Sequence, residues 1–167
     1  MRRTILLTAV LALAVVTLGA PASASDNFVA HLSGGDEVPA RDTAAHGVAK
    51  IKVRDGGAAL DFKVNVANID NVFAAHIHCG SPGVNGPIGL TLFMGTPGGG
   101  TFNGTLAEGT ATGPDPVNGC GWTDLASVIA AIQSGNTYVN VHTNDGVAPP
   151  NTGPGDFPGG EIRGQVH

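Results

Sequence analysis

His76 and His78 stand two residues apart in "AAHIHCG", with Cys79 directly after them. On an extended strand, residues i and i+2 share a face with Cα atoms roughly 6–7 Å apart, so two imidazoles at this spacing can converge on one metal ion. His142, in "TYVNVHT", is a third candidate, because Val139 and Val141 alternate against Tyr138, Asn140 and His142. That pattern turns the histidine away from the apolar face. Imidazole suits copper, zinc, nickel and iron; three histidines without a neighbouring carboxylate or thiolate point to copper first and zinc second. The competing interpretation is that these histidines hydrogen-bond within a polar network and hold loops. Periodicity alone does not say whether the strand of His142 neighbours that of His76 and His78. His31 and His46 are expected to be exposed polar residues, and His167, at the end of the chain, to be frayed.

No other catalytic pattern competes. The chain has no G-x-S-x-G elbow and no glycine-rich phosphate loop between a strand and a helix. Asp36 and Glu37 are adjacent, so on an extended chain they point apart, and they are expected to lie in a solvated loop. Trp122, two residues after Cys120, is expected to pack in the core rather than to offer a sugar-stacking platform.

Residues 1–24 carry the marks of a secretory signal peptide. Arg2 and Arg3 open it, residues 5–19 are an apolar run too short to span a membrane comfortably, and Ala22-Ser23-Ala24 suits cleavage. A single domain over 25–167 and a secreted or periplasmic location follow. Removing that segment leaves six basic against 13 acidic residues, a net charge of −7. Such a chain disfavours nucleic acid, which needs clustered Lys and Arg, and anionic membrane surfaces. No second apolar run calls for membrane insertion. In an oxidising compartment Cys79 and Cys120 have each other as partners, which predicts one disulfide. Closing that loop would stabilise the fold by about 3–4 kcal/mol on the chain-entropy account. The alternative is a Cys79 thiolate as a ligand beside the histidines.

The elements that must position these residues are mostly strands. "FVAHLSG" alternates, and "GVAKIKVRDGGAALDFKVNVAN" reads as a hairpin with its turn at Asp55-Gly56-Gly57. "NVFAAHIH" places Phe73, Ala75 and Ile77 on one face and His76 and His78 on the other. "IGLTLF", one or two weak strands in "TFNGTLAEGTAT", "TYVNVHT" and "EIRGQV" follow. One helix is expected near residues 124–134, N-capped by Thr123, with Leu125, Val128, Ile129 and Ile132 as its buried stripe. The expected fold is all-β: an antiparallel, Greek-key-like sandwich or barrel of about seven to nine strands with one short helix.

Three stretches together carry a resemblance: "HLSGGDEVPARDTAAHGVAKIKV", "AAHIHCGSPGVNGPIGLTLF" and "DLASVIAAIQSGNTYVNVHTNDGVAPPNTGPGDFPGGEIRGQV". They resemble the CHRD domain, named from chordin and common in secreted bacterial proteins. Motif positions include His76, His78, Gly80, Gly83, Asn85, Gly86, Pro87, Tyr138, Asn140, His142, Glu161, Arg163 and Gly164. A fainter, fold-level similarity to Cu/Zn superoxide dismutase rests on the H-x-H strand, the nearby cysteine and the late arginine. It implies copper on His76, His78 and His142, with Arg163 steering an anion towards it. The loop from Gly80 to Gly104 contains no histidine, so that similarity offers no zinc subsite and no fourth copper ligand. Two functions are therefore expected. The first is a secreted metal-binding protein, with superoxide-dismutase-like redox chemistry as one extension. The second is a non-enzymatic module for an extracellular protein or matrix partner, using loops such as "NDGVAPPNTGPGDFPGG".

Overall fold

The alternation of apolar and charged residues builds the first sheet segment directly. In the computed structural model of the protein, residues 26–167 are described, and the expected signal peptide at residues 1–24 lies outside them. Strands β1 (Asn27–Ser33), β2 (His46–Arg54) and β3 (Ala59–Asp70) form an antiparallel meander. Phe28, Ala30, Leu32, Ala49, Ile51, Val53, Leu60 and Val64 turn inward, while Lys50, Lys52 and Arg54 stay in solvent. The β2–β3 turn takes Asp55, Gly56 and Gly57 through φ values of 53°, 67° and 97°. Two consecutive glycines there relieve the steric cost of left-handed backbone. Asn68, at φ 53°, interrupts the two-residue rhythm of β3, so that Ile69 reaches the core after Val66.

Strands β4 (Val72–Cys79) and β5 (Ile88–Met94) make a second hairpin-like pair. Strand β6 (Thr101–Ala111) returns to the far edge of β3 as one 11-residue strand, not two short ones. Strand β7 (Thr137–Thr143) pairs with β4, and β8 (Ile162–Gln165) closes the gap between β7 and β1. The order is β5-β4-β7-β8-β1-β2-β3-β6, with every pairing antiparallel. The terminal strands β5 and β6 approach each other, so the eight strands form a nearly closed barrel. His167 is not frayed: its backbone exchanges hydrogen bonds with Val29 in both directions.

Helix α1 (Leu125–Gln133) buries Leu125, Val128, Ile129 and Ile132 as its stripe predicts. Its N-cap is Asp124 rather than Thr123: Asp124 accepts from the Ser127 amide, and the Ser127 hydroxyl accepts from the Asp124 amide. This reciprocal pair satisfies orphan donors that Thr123, one residue too early, would not reach. The Cys79–Cys120 disulfide, with Cα atoms 5.8 Å apart, joins the end of β4 to the segment before α1. Trp122 lies partly buried against Gly89 of β5, where a Cβ would overlap its indole ring.

Candidate metal centre

Strands β4 and β7 are buried on both faces. Ala75, Ile77, Val139 and Val141 point into the barrel. His76, His78, Tyr138, Asn140 and His142 therefore occupy the outer face, and loops close over it. The β4–β7 register sets His76 opposite Asn140, His78 opposite Tyr138 and Ala74 opposite His142. Neighbouring strands thus bring the third histidine diagonally beside the H-x-H pair, which periodicity alone left open. Phe73 does not share the face of Ala75 and Ile77. The β4–β7 register skips it between Val72 and Ala74, which sends Val72 to the core and sets Phe73 edge-on to His142, ring centroids 6.2 Å apart.

One ring nitrogen from each histidine lies within 4.8 Å of those of the other two, and the side chains are only 6–7 % exposed. His78 Nδ1 faces the carbonyl of Gly86 at 3.0 Å, and His142 Nδ1 faces the carbonyl of Pro158 at 3.0 Å. A carbonyl only accepts, so each Nδ1 must carry the proton and donate it. The Nε2 lone pairs of His78 and His142 are consequently free. Both nitrogens, with Nδ1 of His76, are buried and lack any hydrogen-bond partner. Three nitrogens bound tetrahedrally to one ion at about 2.0–2.1 Å stand about 3.4 Å apart, so rings whose nitrogens lie within 4.8 Å of one another would draw inward to hold it. The residues fit a metal ion. Cys79 does not join them, because its sulfur is in the disulfide.

A stack of side chains supports the cluster. Tyr138 lies flat on His78, with ring centroids 4.8 Å apart and planes 12° from parallel. The Arg163 guanidinium sits over the Tyr138 ring, 3.5 Å from its centroid. Arg163 is 2 % exposed; it donates to Asn85 Oδ1 at 3.0 Å and to the Val84 carbonyl at 2.9 Å. Bound in this way, it holds the loop that supplies the Gly86 carbonyl to His78 and leaves little of itself to meet an anion from solvent. The Tyr138 hydroxyl accepts from the Gly86 amide and donates to its carbonyl. Only glycine fits at position 86, since a Cβ would run into the carbonyl of Cys79.

The electrostatics keep the imidazoles neutral. Burial foremost, then the neighbouring His78, pushes His76 down to about 4, against an upward pull from the Asp115 carboxylate. Burial, His76 and His78 push His142 down to about 3. Burial also lowers His78; the bond to Gly86 opposes that and the Arg163 charge adds to it.

Glu37 corrects an expectation. Asp36 is exposed and accepts from the Ser33 hydroxyl, but Glu37 is buried rather than solvated. The short 3₁₀ turn Gly34–Asp36 precedes it and carries it inward, and burial raises its carboxyl to about 7 despite the charges of Arg163 and Arg41. Glu161 is buried too, accepting from the hydroxyls of Thr43 and Thr143 and from the Gly155 amide. It pins the loop between β7 and β8, and with it the Pro158 carbonyl used by His142. The burial of Glu37 was not anticipated, and Glu161 stood out only as a motif position of the resemblance, because both roles depend on contacts between distant segments.

A scan against protein-family models matches the CHRD domain over residues 28–166. No curated protein and no solved structure matches the chain. The family match spans all eight strands and every residue of the histidine cluster, so the chain belongs to the CHRD domain family.

Proposed function

We propose that this CHRD domain acts as a metal-binding protein outside the cytoplasm, taking copper first and zinc second through His76 Nδ1, His78 Nε2 and His142 Nε2. The observation that carries the proposal is that these three buried nitrogens lack partners. A buried acceptor left unsatisfied costs about 1–3 kcal/mol, and a single cation would meet all three. The chain's own contribution is to hold the imidazoles neutral, the form that ligates, and to fix two tautomers through backbone carbonyls. Copper precedes zinc because a neutral nitrogen set binds it more strongly along the Irving–Williams order. Bound copper would supply one-electron chemistry at the position that three imidazoles leave open, where a superoxide-dismutase-like reaction would belong. Arg163 is assigned to positioning Tyr138 and the 84–86 loop rather than to steering an anion.

Export is supported by the signal-like residues 1–24, by the disulfide and by the extracellular character of the family. Among the described residues no helix is long and apolar enough to cross a membrane. The test is elemental analysis and Cu(II) titration of untagged protein, with His78→Ala in parallel. One copper per parent chain and severely weakened binding by the variant are expected. Parent protein that takes up neither copper nor zinc would overturn the proposal and leave the histidines as a polar cluster in a protein- or matrix-binding module.

A further inference from the structure

We propose that Arg163 biases the histidine centre towards monovalent copper: its buried guanidinium, without an ion pair and stacked on Tyr138 behind His78, opposes each further unit of charge on a bound ion. This role presupposes the metal-binding function proposed above.

A buried charge is ordinarily paired with an opposite one. Arg163 is 2 % exposed, yet its guanidinium donates only to neutral acceptors, the Asn85 side-chain carbonyl at 3.0 Å and the Val84 carbonyl at 2.9 Å. The ion pairs among the described residues, Arg54 with Asp61 and Lys63 with Glu108, lie on β2, β3 and β6. Glu37 feels the Arg163 charge but makes no ion pair with it, and burial raises its carboxyl to about 7. An arginine stays protonated at every working pH, so the charge is permanent.

The fold brings this charge close to a ligand. Strand β7 runs between β4 and β8, so Tyr138 stands between His78 and Arg163 on the outer face. The guanidinium carbon lies 3.5 Å from the Tyr138 ring centre, and that ring centre lies 4.8 Å from the His78 one. The two contacts in series hold the charge within about 8 Å of the His78 ring. Three neutral imidazoles bring no negative charge to offset it, and the Cys79 sulfur is held in the disulfide. At a separation of about 10 Å and an effective dielectric of about 20, each unit of ion charge is opposed by roughly tenfold in affinity. Cu(I) meets that opposition once, whereas Cu(II) and Zn(II) meet it twice.

The experiment measures Cu(I), Cu(II) and Zn(II) affinities and the copper reduction potential at pH 6, where the Glu37 carboxyl is largely protonated and adds no countercharge. Untagged parent is compared with Arg163→Lys, Arg163→Gln, Arg163→Met and Asn85→Ala. Arg163→Gln and Arg163→Met remove the charge, and either suffices if the other does not fold. Both should shift the balance roughly tenfold from Cu(I) towards Cu(II), which lowers the potential by about 59 mV. Zn(II), which has no redox chemistry, should gain on Cu(I) to the same extent. Arg163→Lys keeps the charge, and Asn85→Ala disturbs the loop without touching it, so both should keep the balance of the parent. An unchanged balance in the uncharged variants would overturn the proposal while the metal centre stood. Equal shifts in Arg163→Lys or Asn85→Ala would overturn it too, because loop geometry rather than charge would then set the balance. A parent protein without copper or zinc affinity would remove both this role and the metal-binding function.

Discussion

At the three histidines, burial decides the protonation state before any metal arrives. An isolated imidazole titrates near 6.5, whereas His76 is pushed down to about 4 and His142 to about 3. Protons therefore compete with a metal only in acid. Copper affinity should stay nearly level from pH 7 to about 5 and fall steeply below, as followed by Cu(II) titration at each pH; a fall centred on pH 6.5 would mean that the rings are solvated. The same shifts make metal-free protein acid-sensitive. Depressed histidine values mean that the unfolded chain binds more protons below about 6.5, so this stability is complete above that pH and lost as pH falls through about 4 towards 3. Glu37 has the opposite sign. Its value is raised to about 7 from 4.5, so its stability is complete below 4.5 and lost as pH rises through 7. Glu37→Gln should remove that alkaline-side loss and raise the melting temperature of metal-free protein at pH 8 relative to the parent. A lower melting temperature at pH 8 would show that the attraction of the Arg163 and Arg41 charges outweighs the cost of burial.

Among the elements, the segment from Gly80 to Pro87 matters most to the centre. It receives Arg163 through Val84 and Asn85, reaches Val38 through the Asn85 amide, and turns the Gly86 carbonyl onto His78. Its close approach to β4 depends on the missing side chain at position 86. Gly86→Ala should therefore cost about 2–3 kcal/mol in urea unfolding, the range for a backbone position that cannot relax without breaking neighbours. It should also weaken copper, because His78 would lose the acceptor that fixes its tautomer. Gly83→Ala is a useful contrast, since its φ of 76° strains the backbone but no atom lies within 4 Å of an added Cβ. Stability loss without a change in copper affinity is expected there, and comparable copper loss in both variants would refute the special role of the Gly86 carbonyl.

Over the whole molecule, several long-range ties converge on the outer face of β4, β7 and β8. The disulfide spans 41 residues and begins at Cys79, next to His78; Glu161 joins Thr43, Thr143 and Gly155; Arg163 joins β8 to Val84 and Asn85. Replacing both Cys79 and Cys120 by Ser should lower stability by about 3–4 kcal/mol on the loop-entropy account. Denaturant unfolding would measure this, and a change below 1 kcal/mol would show that the remaining ties already hold the loop. With a nearly closed barrel behind it and loops in front, the histidine cluster is built as a rigid recess rather than a surface patch.

Much of this was legible in the residues. Two-residue alternation specified the meander, the Leu125/Val128/Ile129/Ile132 stripe specified α1, and the H-x-H spacing put His76 and His78 on one face, because each depends only on the local repeat of the backbone. The cysteine count and the signal-like start sufficed to anticipate the disulfide. What the chain could not reveal locally was which strands become neighbours. The insertion of β7 between β4 and β8 brings His142 to the pair and lays Arg163 on Tyr138, though 66 and 25 residues respectively separate the partners in sequence order from His76 to His142 and from Tyr138 to Arg163. Bulges decided the rest, moving Phe73 to the histidine face, as did long-range burial, which drew Glu37 inward and set the charge states of the histidines. Those outcomes arise from packing between distant segments, whose desolvation and contacts exist only once the barrel has closed.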